Sequence, residues 1–292
     1  MQATAARAEA YEQQGHDAVR ACFERPWLAG LLQRLLLAAP GGELLDLGCG
    51  DGAVARMAGL ERYVGVDLAP PEAAVDAEFV AHDLADGLGP VGTLPFDLYL
   101  GSFGIASHLA PGELARLLGD IARHARPGAL VAIEALGLHS LEWPQLWGSR
   151  HGRGRTIEYR LATDVRVHPW APGELFALFR GSGIEPLGTL DRTLQAAPKL
   201  AEGRYWPGLP DLRGALNALI SLECEPAAIE VLAAPLPPLP ACEAALVHHT
   251  LAARRGELLA CRGPTASAIW QLEPRTAGGF GHGLLVVGRV RG

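Results

Sequence analysis

Leu44-Leu-Asp-Leu-Gly-Cys-Gly-Asp-Gly52 decides how the rest of this 292-residue chain is read. Leu44 to Leu47 has the length and apolarity of a short buried strand. Gly48, Gly50 and Gly52 follow at once, and Ala53-Val-Ala-Arg-Met-Ala58 opens a helix. A strand that runs through glycines into a helix brings backbone N–H groups up to a ligand, because glycine has no side chain in the way. The spacing Gly48, Gly50, Ala53 satisfies the dinucleotide fingerprint G-x-G-x-x-G/A. A tight turn with no ligand is the plain alternative, although three glycines cost strand and helix stability.

The charges separate the nucleotide families that use such a turn. A dinucleotide places its pyrophosphate at the helix N-terminus, where N–H donors and the helix dipole favour an anion. Here Asp46 ends the strand and Asp51 sits inside the turn. Two carboxylates repel a pyrophosphate and suit a ligand that carries an ammonium and a sulfonium. At these residues the chain resembles the class I S-adenosylmethionine-dependent methyltransferases, whose first motif looks like LLDLGCGDG. The resemblance implies a Rossmann-like, doubly wound α/β fold. Its sheet has seven strands, mostly parallel with an antiparallel last strand. It also implies S-adenosyl-L-methionine as cofactor.

Outward from the motif, Tyr63-Val-Gly-Val-Asp67 reads as a second strand ending in an acid. Asp67 lies at the spacing where a carboxylate meets a ribose, and two vicinal hydroxyl donors match its two acceptor oxygens. It can equally cap a helix beginning near Pro70-Pro71. Glu78 to Ala81 is a third strand, followed by His82-Asp83-Leu84. There the family has an acid that accepts from the adenine amino group, while a turn cap is the alternative for Asp83. Leu94 to Leu100 is a fourth, central strand. The loop Gly101-Ser-Phe-Gly-Ile-Ala-Ser-His108 after it should floor the transfer site, since ligands in open parallel sheets lie at the carboxyl ends of the strands. This loop departs from the Asp/Asn-Pro-Pro-Tyr/Phe motif of enzymes that methylate amino groups on bases or glutamine. Pro111 to Ala125 is an amphipathic helix stopped by Arg126-Pro-Gly128, and Ala129 to Leu136 is a fifth strand.

The resemblance implies cofactor contacts from Tyr11, Asp46, Gly48, Cys49, Gly50, Asp67, Leu68, His82, Asp83, Leu84, Gly101, Ser102 and Phe103. Gly48 and Gly50 would admit the methionine part, Asp67 would hold the ribose and Asp83 the adenine. An imidazole near neutrality can take a proton from an acceptor hydroxyl. His108, after the fourth strand, is therefore a candidate general base, with His139 and His151 as rivals. A polar loop residue is the plain reading of each.

The remaining segments frame that core. Residues 1–40 carry helices, the second running from Trp27 to Ala38 with leucines at helical spacing. In the resembled family such helices cover the cofactor; packing on the sheet edge is the alternative. An excursion over 137–170 is rich in tryptophan, histidine and arginine, contains strand between Arg155 and His168, and reads as a lid. A helix over Ala171 to Ser182 leads into a sixth strand, Ile184 to Asp191, and Gly283 to Val290 makes a seventh. The intervening 193–282 is a helical insertion, with helices over 211–222, 227–232 and 241–254 and the run Pro235-Leu-Pro-Pro-Leu-Pro240. It can close over an acceptor or form a homodimer face. No internal repeat is evident, and the whole reads as a single methyltransferase domain.

Composition bounds the function. Hydrophobic residues are 49% and charged residues 20% of the chain, as in a folded globular protein. The net charge of −7 argues against nucleic acid. Five scattered cysteines without a C-x-x-C pair support no zinc site and no disulfide framework, which fits a reducing, cytoplasmic setting. No segment reads as a signal peptide or a bilayer span. The expectation is methyl transfer from S-adenosylmethionine to the oxygen, nitrogen or carbon of a small-molecule acceptor. Open beside it are a cofactor-binding protein of the same fold that only senses the cofactor or catalyses a non-methylating reaction, and an NAD-dependent oxidoreductase.

Overall fold

The structure, a computed structural model, describes residues 18–56, 60, 62–71, 77–148, 155–160, 164–191, 208–221, 226–262 and 282–292. Helix α1 (Arg25–Ala38) follows a π-helical turn, Arg20–Glu24. Then come β1 (Glu43–Leu47), β2 (Arg62–Asp67), β3 (Glu78–Ala81) and β4 (Leu98–Gly101). Helices α2 (Ile105–His108) and α3 (Pro111–His124) lead to β5 (Leu130–Leu136). A hairpin of β6 (Ile157–Arg160) and β7 (Asp164–Val167) precedes α4 (Pro172–Gly181) and β8 (Ile184–Asp191). Helices α5 (Leu212–Ile220), α6 (Pro226–Ala233) and α7 (Glu243–Arg262) come before the final strand, β9 (Gly283–Val290).

Seven strands form one sheet in the order β3-β2-β1-β4-β5-β9-β8. The first five pair in parallel, and β9 is antiparallel to both β5 and β8. The doubly wound, seven-stranded expectation therefore holds. Side chains alternate across each strand. Leu45, Leu47, Val131 and Ile133 pack with α3 and α4 on one face. Leu44, Leu98, Leu130 and Ala132 pack on the other against Leu28, Leu31, Leu32 and Leu35 of α1.

Helices α3 and α4 start on the same peptide, Ala-Pro-Gly-Glu-Leu, at 110–114 and 171–175. Proline at the first helical position loses no hydrogen bond there. The glutamate folds back, Glu113 accepting from the Ala110 N–H at 2.7 Å and Glu174 from that of Ala171 at 2.8 Å.

Helices α5–α7 have a core of their own, built on Leu212, Leu216, Leu219, Leu232 and Leu259. Val19 and Phe23 from the N-terminal helix and Leu141 and Trp147 from the excursion after β5 belong to the same cluster. Several local expectations change: α7 runs on to Arg262 rather than ending at 254, and the loop expected over 101–108 closes in α2. The helix expected from Ala53 is a single 3₁₀ turn over Ala53–Arg56, with residues 57–59 outside the described set. The fourth strand starts at Leu98 rather than Leu94. Pro95 has no N–H for a ladder, and the buried Asp97 turns its carboxylate to the Glu43 N–H and to Arg126.

Candidate active site

The carboxyl ends of β1, β2 and β4 bring the cofactor candidates together. Gly48, Gly50 and Gly52 all have positive φ, at 74°, 53° and 65°. The N–H groups of Gly48 and Cys49 both donate to the Val66 carbonyl, at 2.7 and 3.1 Å, so the turn is locked onto β2. A Cβ at Gly48 would lie 2.8 Å from Ile105 Cδ1, whereas one at Gly50 would meet nothing among the described residues within 4 Å. Among the described residues, Gly50 therefore borders open space at the mouth of the turn.

Asp46 shares its strand face with Leu44 and is 1% exposed. Its Oδ2 accepts from the Tyr63 hydroxyl at 2.8 Å, while Oδ1 is buried and has no hydrogen-bond partner among the described residues. Burial is the main cause that pushes this carboxyl up to about 7, with Asp67 and Asp51 adding to it and the Tyr63 hydroxyl opposing it. An orphaned carboxylate oxygen beside an open cradle is chemistry that a cationic ligand completes. Burial also pushes the Cys49 thiol well above its usual range, so Cys49 is an inert wall of the turn.

Asp67 ends β2 half-buried and accepts from Gly50 N–H at 2.9 Å and Ala69 N–H at 3.3 Å. It thus sits directly across from the glycine cradle. Leu68 follows, half-buried. Asp83 caps a short 3₁₀ turn through the Ala85 N–H at 2.9 Å. His82 turns its Nε2 to the Gly87 carbonyl at 3.1 Å, and Leu84 is buried. Gly101 and Ser102 are buried at the end of β4. Phe103 beside them takes a φ of 56°, in the left-handed region that few non-glycine residues enter. Its N–H donates to Glu134 Oε2 at 3.1 Å.

Asp51 turns out differently from the sequence argument. Its carboxylate meets Arg25 at 3.1 Å and Arg56 at 3.9 Å. The acidity facing the cradle therefore comes from Asp46 and Asp67. Tyr11 and His151 lie outside the described residues. His108 ends α2, half-buried, and His139 is half-buried just beyond β5. Burial, helped by Arg155, lowers the His139 pKa.

Sequence reasoning missed several charged groups at this edge. Glu134, 1% exposed, reads as an interior position of an apolar strand. Glu142 Oε2 lies 2.6 Å from His282 Nδ1, with both residues buried. No local spacing announces a pair separated by 140 positions. His248 of α7 stacks on Trp147 at 4.7 Å and puts Nε2 2.6 Å from the His139 carbonyl.

A family model described as "Methyltransferase domain" matches residues 21–182, more than half of the chain. This chain belongs to the methyltransferase-domain family. It is an S-adenosylmethionine-dependent methyltransferase, as the glycine turn implied. No curated protein sequence matches it significantly. Among solved structures, an amino pentose methyltransferase from Micromonospora echinaspora, with S-adenosylmethionine bound, is 18% identical. That match covers 61% of this chain and 88% of the other at a TM-score of 0.43. The putative methyltransferase seen with the Haloferax volcanii Trm112 activator is also 18% identical, covering 94% of both chains at 0.47. The 1,6-didemethyltoxoflavin-N1-methyltransferase of Burkholderia thailandensis is 20% identical, covering 58% of this chain and 72% of the other at 0.42. The acceptor of this methyltransferase has to be argued from its own residues.

Proposed function

We propose that this methyltransferase transfers the methyl group of S-adenosylmethionine to a small-molecule acceptor. The observation that carries the reading is the way the carboxyl edge of β5 is covered. The excursion after β5 and α7 are joined through the Trp147–His248 stack, the His248–His139 contact and a shared apolar core. Residues 137–170 then act as a lid and 193–282 as a cover within a single methyltransferase domain. A covered edge admits a small molecule more readily than a polymer, and a net charge of −7 argues against nucleic acid.

In this reading Asp46 Oδ1 receives the cationic methionine part over Gly48 and Gly50. Asp67 exchanges its Gly50 and Ala69 bonds for the ribose hydroxyls. The Asp83 oxygen that does not cap the turn meets the adenine edge. S-adenosylmethionine supplies an electrophilic methyl on a sulfonium. The protein's task is to align an acceptor lone pair with it, which can lower the barrier by roughly 7–11 kcal/mol. His108, at the end of α2, and His139, just beyond β5, are the proton acceptors this reading offers.

The test offers tritiated methyl-S-adenosylmethionine with separated metabolite, protein, RNA and DNA fractions. Label should enter the metabolite fraction. Label in a polymer fraction alone would falsify the small-molecule reading. Uptake by none would favour the cofactor-sensing or non-methylating alternatives.

A further inference from the structure

The turn Arg20–Glu24 is π-helical, a rare widening of a helix that concentrates at functional sites. Different parts of the molecule hold its two sides. Toward the cofactor edge, the Arg20 guanidinium lies 4.9 Å from the centroid of the Phe103 ring. The following residue, Arg25, donates to Asp51 of the glycine turn at 3.1 Å. Away from that edge, Glu24 Oε1 accepts from Arg213 of α5 at 2.9 Å, each side chain being 6% exposed. The Val19 N–H donates to Asn217 Oδ1, also on α5, at 2.9 Å. Arg20 and Glu24 face each other at 3.8 Å, closing the chain of contacts.

Phe103 is the one described non-glycine residue with positive φ. Such a conformation persists only where its surroundings enforce it. Here Glu134 holds its N–H from one side and Arg20 covers its ring from the other. A buried ion pair adds little net stability, yet it is intolerant of misplacement because its attraction offsets desolvation only when the geometry is kept. The Glu24–Arg213 pair therefore fixes where α5 docks, and through Arg20 that docking reaches the floor of the cofactor site.

We propose that Arg20, Glu24 and Arg213 are positioning residues, a relay through which cofactor occupancy and docking of α5–α7 reinforce each other. The proposal rests on the reading that the glycine turn takes S-adenosylmethionine. Coupling of this kind is reciprocal: a ligand that favours the docked form is favoured by it.

The probe is S-adenosylhomocysteine, which does not turn over, titrated into the full chain by calorimetry and followed by hydrogen exchange. In the wild type it should slow exchange in 44–52 and also in 212–220. Glu24→Gln should weaken its binding at least tenfold. At saturation 44–52 should still respond and 212–220 should not. Arg20→Gln leaves the buried pair intact and should fold normally. It should weaken binding at least threefold and also uncouple 212–220, a readout that a purely structural role would not move. Wild-type affinity in both variants, or a wild-type 212–220 segment indifferent to bound ligand, overturns the relay. No binding by the wild type overturns the cofactor reading itself, and the relay with it.

Discussion

At the scale of single residues, Asp46 carries the most testable chemistry. Its carboxyl is raised from 3.8 to about 7, chiefly by burial. The folded state therefore holds a proton across a window where the unfolded chain has lost it. The contribution of Asp46 to stability falls as pH rises from about 4 to 7. A cation placed at its orphaned Oδ1 favours the ionised form and reverses that preference. We expect S-adenosylmethionine binding at pH 6 to release a proton, seen as a dependence of calorimetric heat on buffer ionisation. Asp46→Asn should abolish the release.

The glycines give a second contrast. Gly50→Ala meets no neighbour among the described residues but keeps φ at 53°, so it should cost about 1–2 kcal/mol of stability while its methyl group fills the cradle and weakens cofactor binding. Gly48→Ala has a similar φ and in addition strikes Ile105 Cδ1 at 2.8 Å, so it should destabilise more. Equal melting temperatures for the two variants would count against this account.

Secondary elements show what local sequence carries. The bounds of β3, β8 and β9 agree with the sequence reading, because alternation or unbroken apolarity is cut there by glycines and polar residues. Helix α1 and the start of α3 were legible from proline and leucine spacing. Strand β4 starts four residues late because Asp97 answers to distant partners. Its Oδ2 accepts from Arg126 Nη1 at 2.6 Å and from the Glu43 N–H at 3.1 Å. Such a network joins three elements, and no window of sequence contains it. The same is true of Glu134, Glu142 with His282, and Arg20 over Phe103, whereas the cofactor turn is contiguous and could be read directly.

The Asp97 network supplies the prediction at this scale. Arg126 also reaches Glu43 at 3.1 Å, and its loss leaves the buried Asp97, among the described residues, with the Glu43 N–H as donor. We expect Arg126→Leu to cost about 3 kcal/mol, the low end for stranding a buried charge, because the Arg126 head group is partly hydrated. Denaturant melts should show a lower midpoint with an unchanged slope.

For the molecule as a whole, His248 makes the joint between α7 and the excursion pH-sensitive. Burial lowers its pKa to about 4, opposed by its hydrogen bond to the His139 carbonyl. A histidine depressed in the native state binds its proton more tightly in the unfolded chain. The stability it contributes is complete above about 6.5 and is lost as pH falls toward 4. That slope is opposite to the one from Asp46. We expect exchange in 243–262 to accelerate on acidification across this range. His248→Phe, which keeps a ring against Trp147 and removes the titration, should move the loosening to lower pH.

The place of β9 between β5 and β8 has a kinetic consequence. Strand β8 ends and β9 begins at the same edge of the sheet, so the chain over 192–282 departs and returns there. Closing a loop of about ninety residues instead of five costs about 2.6 kcal/mol more, by the logarithmic law for chain closure. That toll falls on the nucleation of one edge and not on the parallel strands β1 to β5, whose crossovers are shorter. Newly made chains should therefore assemble the cofactor half first and zip β9 into its slot late. A circular permutant opened within 263–281 would carry β9 at its start, and the rate at which it acquires the β5–β9 pairing would report how much of the folding time that closure consumes.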